Sequence, residues 1–191
     1  MTKTRLEAFS DGVIAIIITI MVLELKAPHD ASWEALRELW PVFLSYVMSF
    51  VYVGIYWNNH HHMLHLASKI NGRILWANLH LLFWLSLFPF CSGWLGENHF
   101  AAAPASVYGV VLFMASIAYL ILETQIVAQQ GPGSTLREAI GNEAKGKVSS
   151  LLYLTAIALA FVNQWIAMAI YTFVALMWLV PDRRIERNIH S

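Results

Sequence analysis

The chain has 191 residues, of which 58% are hydrophobic and 13% are charged, and its mean hydropathy is +0.56. A soluble domain carries about 25% charged residues, so this composition excludes an ordinary globular protein and predicts an integral membrane protein. Twelve basic residues balance twelve acidic ones. Because no excess positive charge is available to hold a nucleic acid backbone, we expect no nucleic acid partner.

Charge-free stretches locate the membrane spans, because a helix needs about 20 apolar residues to cross about 30 Å of hydrocarbon. The first apolar stretch extends backward past the lone Asp11. The last one, Val148 to Val180, is too long for one helix and divides at Asn163-Gln164. The sequence therefore predicts six transmembrane helices, over residues 5–25, 38–65, 72–95, 103–128, 145–162 and 165–181.

Basic residues give the orientation, since Lys and Arg collect in cytoplasmic loops. With six spans and both termini inside, only Lys26 and Arg37 lie outside. The other basic residues are then cytoplasmic: Lys3, Arg5, Lys69, Arg73, Arg137, Lys145, Lys147, Arg183, Arg184 and Arg187. We expect a single multi-pass domain over residues 1–191, in the cell membrane, with both termini in the cytoplasm. The first helix lacks a small-residue cleavage site and is expected to be retained.

Asp11 is an ionisable residue inside the first span, where burial in lipid is costly unless a partner is present. On a regular helix Arg5 and Asp11 lie about 120° apart, so a direct pair between them is not expected. The polar residues of the next two helices are the candidate partners: Asn58, Asn59, His60, His61, His62 and Asn78. A buried structural acceptor is the simpler interpretation of Asp11, and a contact with substrate is the alternative.

A second face of the first helix carries Ile16, Thr19, Ile20 and Leu23 at the spacing i, i+3, i+4 and i+7. These residues fall within about 100° of arc and form a narrow apolar stripe with one hydroxyl. Such a stripe is typical of a helix-packing seam. If several copies of the helix surround an axis, it becomes a pore lining instead, and composition alone does not decide between the two.

The second helix ends in a histidine cluster that allows three interpretations. His61 and His65 are four residues apart, as metal-ligating histidines often are. No Cys or Glu lies nearby, and the preceding Trp57, Asn58 and Asn59 favour a structural hydrogen-bond network. Sensing of pH and metal binding remain the alternatives.

Arg5, Phe9, Ser10 and Asp11 spell Arg-x-x-x-Phe-Ser-Asp at the start of the first helix. This pattern resembles the signature of the endosomal and lysosomal potassium channel family, the transmembrane protein 175 family. The resemblance covers about the first 95 residues. It continues through three further stretches, Gly12–Ile16, Tyr56–His61 and Asn78–Pro89. This chain has one six-helix unit, whereas animal members of the family carry two. It is similar in this respect to the prokaryotic members, which assemble as homotetramers.

The resemblance implies an all-α integral membrane protein with six transmembrane helices per subunit and a central pore lined by the first helix. By the same resemblance, the pore constriction maps onto Ile16 and Leu23, a neighbouring apolar ring onto Ile20, and a selectivity ring onto Thr19. The signature residues map onto a structural motif that fixes this helix: Arg5, Phe9, Ser10 and Asp11. A supporting polar network follows from the matching stretches: Trp57, Asn58, His60, His61 and Asn78.

The implied function is a potassium-selective leak channel in which a hydrophobic constriction replaces a carbonyl filter. An apolar ring compensates poorly for lost water, so it favours the weakly hydrated K⁺ over Na⁺. Glu24 is a candidate for attracting cations at the outer mouth, and a surface pair with Lys26 is the alternative. The expected partners are potassium ions, the bilayer and three further copies of the chain. No catalytic residue, metal or cofactor is expected. A cation or proton-coupled transporter is the alternative function, and an intramembrane metal-dependent enzyme comes third.

Overall fold

In a computed structural model, the described residues, 2–67, 69–130 and 144–179, form helices joined by short connections and contain no strand. The helices are α1 (Lys3–Leu23), α2 (Trp33–Glu38), α3 (Trp40–Leu66), α4 (Gly72–Leu85), α5 (Phe88–Glu97), α6 (Ala102–Gln130), α7 (Ala144–Leu159) and α8 (Gln164–Leu179). Four segments of this part are long and apolar enough to cross a membrane: Lys3–Leu23, Trp40–His65, Gly72–Glu97 and Ala102–Gln130. The described part of the chain is therefore all-α, with four helical segments suited to spanning a membrane.

A helix coincides with each of the six predicted spans, but the last two are shorter than the others. The predicted division near Asn163 is confirmed, since α7 ends at Leu159 and α8 begins at Gln164. Both helices have 16 residues, which corresponds to about 24 Å, so six complete spans stay a prediction. Residues 180–181 of the last predicted span lie outside the described residues. So do four of the cations predicted to be cytoplasmic, Arg137, Arg183, Arg184 and Arg187.

Two details of the helices were not predicted. The third predicted span, 72–95, matches the apolar segment Gly72–Glu97, but that segment is interrupted between Leu85 and Phe88. Pro89 accounts for this, because proline has no N–H to donate to the Leu85 carbonyl and its ring clashes with that carbonyl. The short helix α2 was missed. Its N-cap is Ser32, whose Oγ accepts a hydrogen bond from Ala35 N at 3.2 Å. The helix has six residues, which is too short for a hydrophobic periodicity to predict it.

A cluster of buried tyrosines joins α3, α6, α7 and α8. Tyr52, Tyr108, Tyr153 and Tyr171 pack with ring centroids 6.0–6.5 Å apart. The Tyr52 hydroxyl donates to the Tyr171 carbonyl, and the Tyr171 hydroxyl donates to the Ala105 carbonyl at 3.1 Å. Within the described ranges, every buried side-chain nitrogen and oxygen has a hydrogen-bond partner, which makes this polar core compatible with burial in a bilayer.

The contact between α3 and α5 builds the surface on which α1 packs. Gly96 of α5 lies so close to α3 that a Cβ there would meet Val42 Cα at 2.5 Å and Ser45 Oγ at 2.6 Å. Ser45 Oγ also donates to the Ser92 carbonyl at 2.9 Å. Because α1 contacts α3, α4 and α5, this close approach positions the helix that carries the candidate site.

Candidate functional site

The inward face of α1 is buried against the rest of the subunit. Its residues repeat at intervals of three or four and are almost fully buried: Leu6, Ser10, Ile14, Ile17 and Met21. This spacing places them on one side of a regular helix. The face holds α1 in place through apolar contacts and through one polar residue, Ser10.

Ser10 is part of a buried hydrogen-bond chain across three helices. Its hydroxyl donates to the Leu6 carbonyl at 2.9 Å and accepts from Asn78 Nδ2 of α4 at 3.0 Å. Asn78 Oδ1 lies 2.7 Å from His60 Nε2 of α3. Because the Asn78 amide nitrogen already donates to Ser10, its oxygen accepts, and His60 carries its proton on Nε2. This hydrogen-bond chain therefore joins α1, α4 and α3, and each of these polar groups has a hydrogen-bond partner.

Asp11 bonds Trp57, which the resemblance placed in the supporting polar network but which was not among the six candidate partners of Asp11. Its Oδ1 accepts a hydrogen bond from Trp57 Nε1 of α3 at 3.0 Å. None of the six Asn and His residues expected to bond Asp11 is its hydrogen-bond partner in the described part of the chain. Two of them, His60 and Asn78, bond each other instead, and Asn78 also bonds Ser10. An indole N–H is a donor only, so it suits a carboxylate, and this was the signal available in the sequence.

The histidine cluster forms a stack of rings rather than a ligand set. His61 lies between Trp57, with ring centroids 6.1 Å apart, and His65, at 6.4 Å. Across the described residues, no three His, Cys, Asp or Glu side chains come close enough to hold a metal ion. The arrangement thus supports the structural interpretation of this segment more than metal chemistry.

Two of the signature residues lie outside the hydrogen-bonded chain. Arg5 and Phe9 are exposed on α1, and in the part of the subunit described here Arg5 has neither a hydrogen bond nor an ion pair. Asn58 and His61 are exposed on α3. Their roles in fixing α1 stay predictions, since a single subunit does not bring them together with Ser10 and Asn78.

The outward face of α1 presents the predicted stripe to the surroundings. Ile16 is 58% exposed, Ile20 41% and Leu23 74%, and Thr19 is also exposed. The Thr19 hydroxyl donates to the Ile16 carbonyl of its own helix at 2.9 Å. Because its hydrogen is used in this way, the Thr19 oxygen keeps lone pairs that another group can use.

A groove of about 610 Å³ lies beside this stripe, between α1 and α5, and includes Ile16, Ile20, Glu24 and Gly93. A Cβ at Gly93 would lie 3.2 Å from Glu24 Oε2, so the glycine leaves room for this carboxylate at the end of α1. The alternative pairing of Glu24 with Lys26 is wrong: Lys26 pairs with Glu97 at 3.6 Å. Sequence reasoning missed the contact between Glu24 and Gly93, because it joins residues far apart in the chain.

Comparisons with known proteins find relatives that match almost the whole chain. The sequence profile of a family described as "Endosomal/lysosomal potassium channel TMEM175" matches residues 5–89. A potassium channel of Chryseobacterium sp. (strain P1-3) is 56% identical over 189 residues, which cover 99% of this chain and 98% of the relative. A potassium channel of Streptomyces collinus (strain DSM 40733 / Tue 365) is 30% identical, covering 91% of this chain and 90% of the relative.

A solved structure extends the similarity to three dimensions. The crystal structure of a lysosomal potassium-selective channel TMEM175 homologue from Chamaesiphon minutus matches with a TM-score of 0.82 and 29% sequence identity. The match covers 93% of this chain and 96% of that chain. The likeness therefore includes the last helices as well as the segment that carries the signature.

Proposed function

This chain belongs to the TMEM175 family of endosomal/lysosomal potassium channels, and on that premise we propose that it is a potassium-selective leak channel of the cell membrane. The family is one of channels and not of enzymes. In this proposal four copies form a homotetramer around a central axis, and α1 of each copy lines the pore. Residues 1–191 form one channel domain with six spans, and both termini are cytoplasmic.

The exposed stripe of α1 is the observation that carries the proposal. The helix uses one face to pack within its subunit and leaves Ile16, Thr19 and Leu23 uncovered there. In a symmetric tetramer with α1 at the centre, each of these residues becomes a ring of four. A continuous apolar lining with one hydroxyl ring is compatible with a pore that selects ions without a carbonyl filter.

The proposed mechanism depends on the cost of dehydration. Rings of Ile16 and Leu23 form the constriction, and Ile20 adds an apolar ring between them. These side chains offer no oxygen to an ion that sheds water, so the ion with the weaker hydration shell passes more easily. K⁺ is larger and more weakly hydrated than Na⁺, and the constriction therefore favours K⁺.

Thr19 supplies the one polar contact that we propose within this lining. Its hydrogen is bonded to the Ile16 carbonyl, so its oxygen can act as an acceptor toward a cation. Four such oxygens would partly replace the lost water between the two constrictions. We assign to Thr19 the part of K⁺ over Na⁺ selectivity that apolar rings do not provide.

The polar groups of α1 that face away from the stripe have a different role in this proposal. Ser10 and Asp11 fix the helix against α4 and α3, and this keeps the stripe aimed at the axis. Arg5 and Phe9 complete the motif at contacts that form between subunits. Glu24, at the outer end of α1, raises the local concentration of cations at the mouth.

Single-channel recording of the purified protein in a planar bilayer tests the proposal. With KCl on one side and NaCl on the other, we expect unitary currents whose reversal potential lies toward the K⁺ equilibrium potential. A matched recording with a pH gradient and symmetric KCl should show no net current at zero voltage. Transport that depends on the pH gradient and shows no unitary currents would instead identify a proton-coupled transporter.

A further inference from the structure

A second groove lies on the far side of α4 from α1. Its walls are formed by Arg73, Trp76, Ala77 and His80 of α4 and by Ile121 and Gln125 of α6, and its volume is about 790 Å³. Asn78, which bonds α1 through Ser10, is about 150° around α4 from the centre of these residues. This α4–α6 groove is therefore separate from the stripe and from the groove between α1 and α5.

One end of the α4–α6 groove is basic. Arg73 is exposed and, over the described residues, makes no hydrogen bond or ion pair; the same is true of Lys69, four residues earlier. The groove lining contains no Asp or Glu. An unpaired guanidinium with no carboxylate beside it is complementary to an anion, and its planar fork matches a phosphate.

The rest of the groove is mostly apolar. Trp76 is 76% exposed and lies one turn beyond Arg73, beside Ile121 of α6. Ala77, a small and buried residue, forms the floor between the two helices. Deeper in the groove, Trp84 Nε1 donates to His80 Nε2 at 2.9 Å, so the neutral His80 ring carries its proton on Nδ1. The groove thus changes from cationic to apolar along α4.

The basic end also lies where the candidate span Gly72–Glu97 begins, next to Arg73. It adjoins the start of α4 and the last turns of α6, where Asn71 Nδ2 donates to Gln129 Oε1. Lys3, at the start of α1, bonds the His65 carbonyl at the end of α3, so this is the end of the bundle at which α1 begins. An indole next to a cation at the start of a span is typical of the boundary between headgroups and acyl chains.

We propose that the α4–α6 groove binds one anionic phospholipid. The Arg73 guanidinium holds the headgroup phosphate, and the Trp76 ring and Ile121 contact the glycerol and the first methylenes of an acyl chain. Basic pockets between transmembrane helices bind anionic headgroups in this way. The site does not include the pore stripe, so lipid binding does not require ion permeation.

Native mass spectrometry of the purified full chain tests the proposal by counting retained lipids. The probe is an equimolar mixture of palmitoyl-oleoyl phosphatidylglycerol and phosphatidylcholine. We expect the wild-type protein to retain phosphatidylglycerol preferentially, because its phosphate charge is not neutralised by a choline group as that of phosphatidylcholine is. Arg73→Ala should lower that preference about five- to tenfold, because the cation that distinguishes the two headgroups is lost. Arg73→Gln, which keeps more of the side chain's length, should have the same effect.

The controls separate this site from a general attraction to anionic lipid. Arg37→Ala removes another exposed arginine, in α2 at the opposite end of the bundle, and should leave the preference unchanged. An unchanged preference in both Arg73 variants, or an equal loss in Arg37→Ala, would overturn the proposal. Glycerophosphoglycerol, which lacks acyl chains, should displace the lipid only at much higher concentration; displacement at equal concentration would make the groove a phosphate site and not a lipid site.

Discussion

The two faces of α1 differ in what their own subunit provides for them. On the inward face, Ser10 has hydrogen-bond partners on two helices, and Ile14 and Ile17 are enclosed by neighbouring side chains. On the outward face, Ile16 and Leu23 lie uncovered. Residues only one or two positions apart in the sequence are therefore in different environments. The inward face contributes to folding, and the outward face is available for assembly and permeation.

Asn78→Ala has the largest expected effect on the inward face. It leaves Ser10 Oγ without its donor and His60 Nε2 without its acceptor, and each unpaired buried group costs about 1–3 kcal/mol. We expect a clear loss of folded protein in the membrane and a lower unfolding temperature in detergent, measured by size exclusion after heating. Asn98→Ala is the matched control. Asn98 is exposed and bonds the Trp94 carbonyl of its own helix turn, so its substitution should change stability by less than about 0.5 kcal/mol. Equal losses in both variants would mean that Asn78 has no special role.

Ile16→Asn has the largest expected effect on the outward face. A polar ring holds water in the constriction, so conductance should rise several-fold and the K⁺ over Na⁺ permeability ratio should fall toward one. The unfolding temperature should stay near that of the wild-type protein, because Ile16 is exposed in the subunit. Single-channel conductance and reversal potential are the measurements.

A control for Ile16→Asn is available on α8. Leu176 has the same exposed fraction as Ile16, 58%, but lies on a different helix. Leu176→Asn should leave the permeability ratio unchanged. If Ile16→Asn and Leu23→Asn both leave permeation unchanged, the stripe is a packing seam and the pore lies elsewhere.

Much of this division between the faces could be predicted from the sequence. The spacing of Ile16, Thr19, Ile20 and Leu23 is enough to place them on one side of a helix, and the structure exposes all four. Charge-free runs located the helices, because hydrocarbon thickness and helix rise set their length. The division near Asn163 followed from the same length argument.

The polar contacts could not be predicted in the same way. Periodicity describes one helix at a time, whereas the bond from Trp57 to Asp11 depends on how α3 is rotated against α1. Several donors near the end of α3 were chemically suitable, and only the packing selects among them. The same holds for Gly93, whose role becomes visible once α5 lies beside Glu24.

Glu24→Gln tests the end of the outward face, where we expect a moderate effect. A carboxylate at the mouth attracts cations over about 30 Å in 10 mM salt and over about 3 Å in 1 M salt. The inward K⁺ current should therefore fall about two-fold in 10 mM KCl and stay unchanged in 1 M KCl. Glu34→Gln, on the exposed helix α2, is the control. An equal loss at both salt concentrations would place Glu24 in direct contact with the permeating ion.

Thr19→Val has the smallest expected effect and separates the hydroxyl ring from the apolar rings. Valine keeps the shape of threonine and removes its oxygen, and Thr19 is exposed, so assembly should stay near normal. If the Thr19 oxygens partly replace lost water, the K⁺ over Na⁺ permeability ratio should fall. The conductance should rise less than it does in Ile16→Asn. Reversal potentials under asymmetric K⁺ and Na⁺ measure the ratio.

Thr19→Ser decides whether the oxygen or the methyl group matters at this position. A serine hydroxyl can donate to the Ile16 carbonyl as threonine does, and its oxygen then keeps the same free lone pairs. The Ser variant should therefore preserve more of the permeability ratio than the Val variant. If Val leaves the ratio unchanged, the apolar rings alone select K⁺. If Ser lowers the ratio as much as Val, the methyl group narrows the pore and the oxygen plays no part in selectivity.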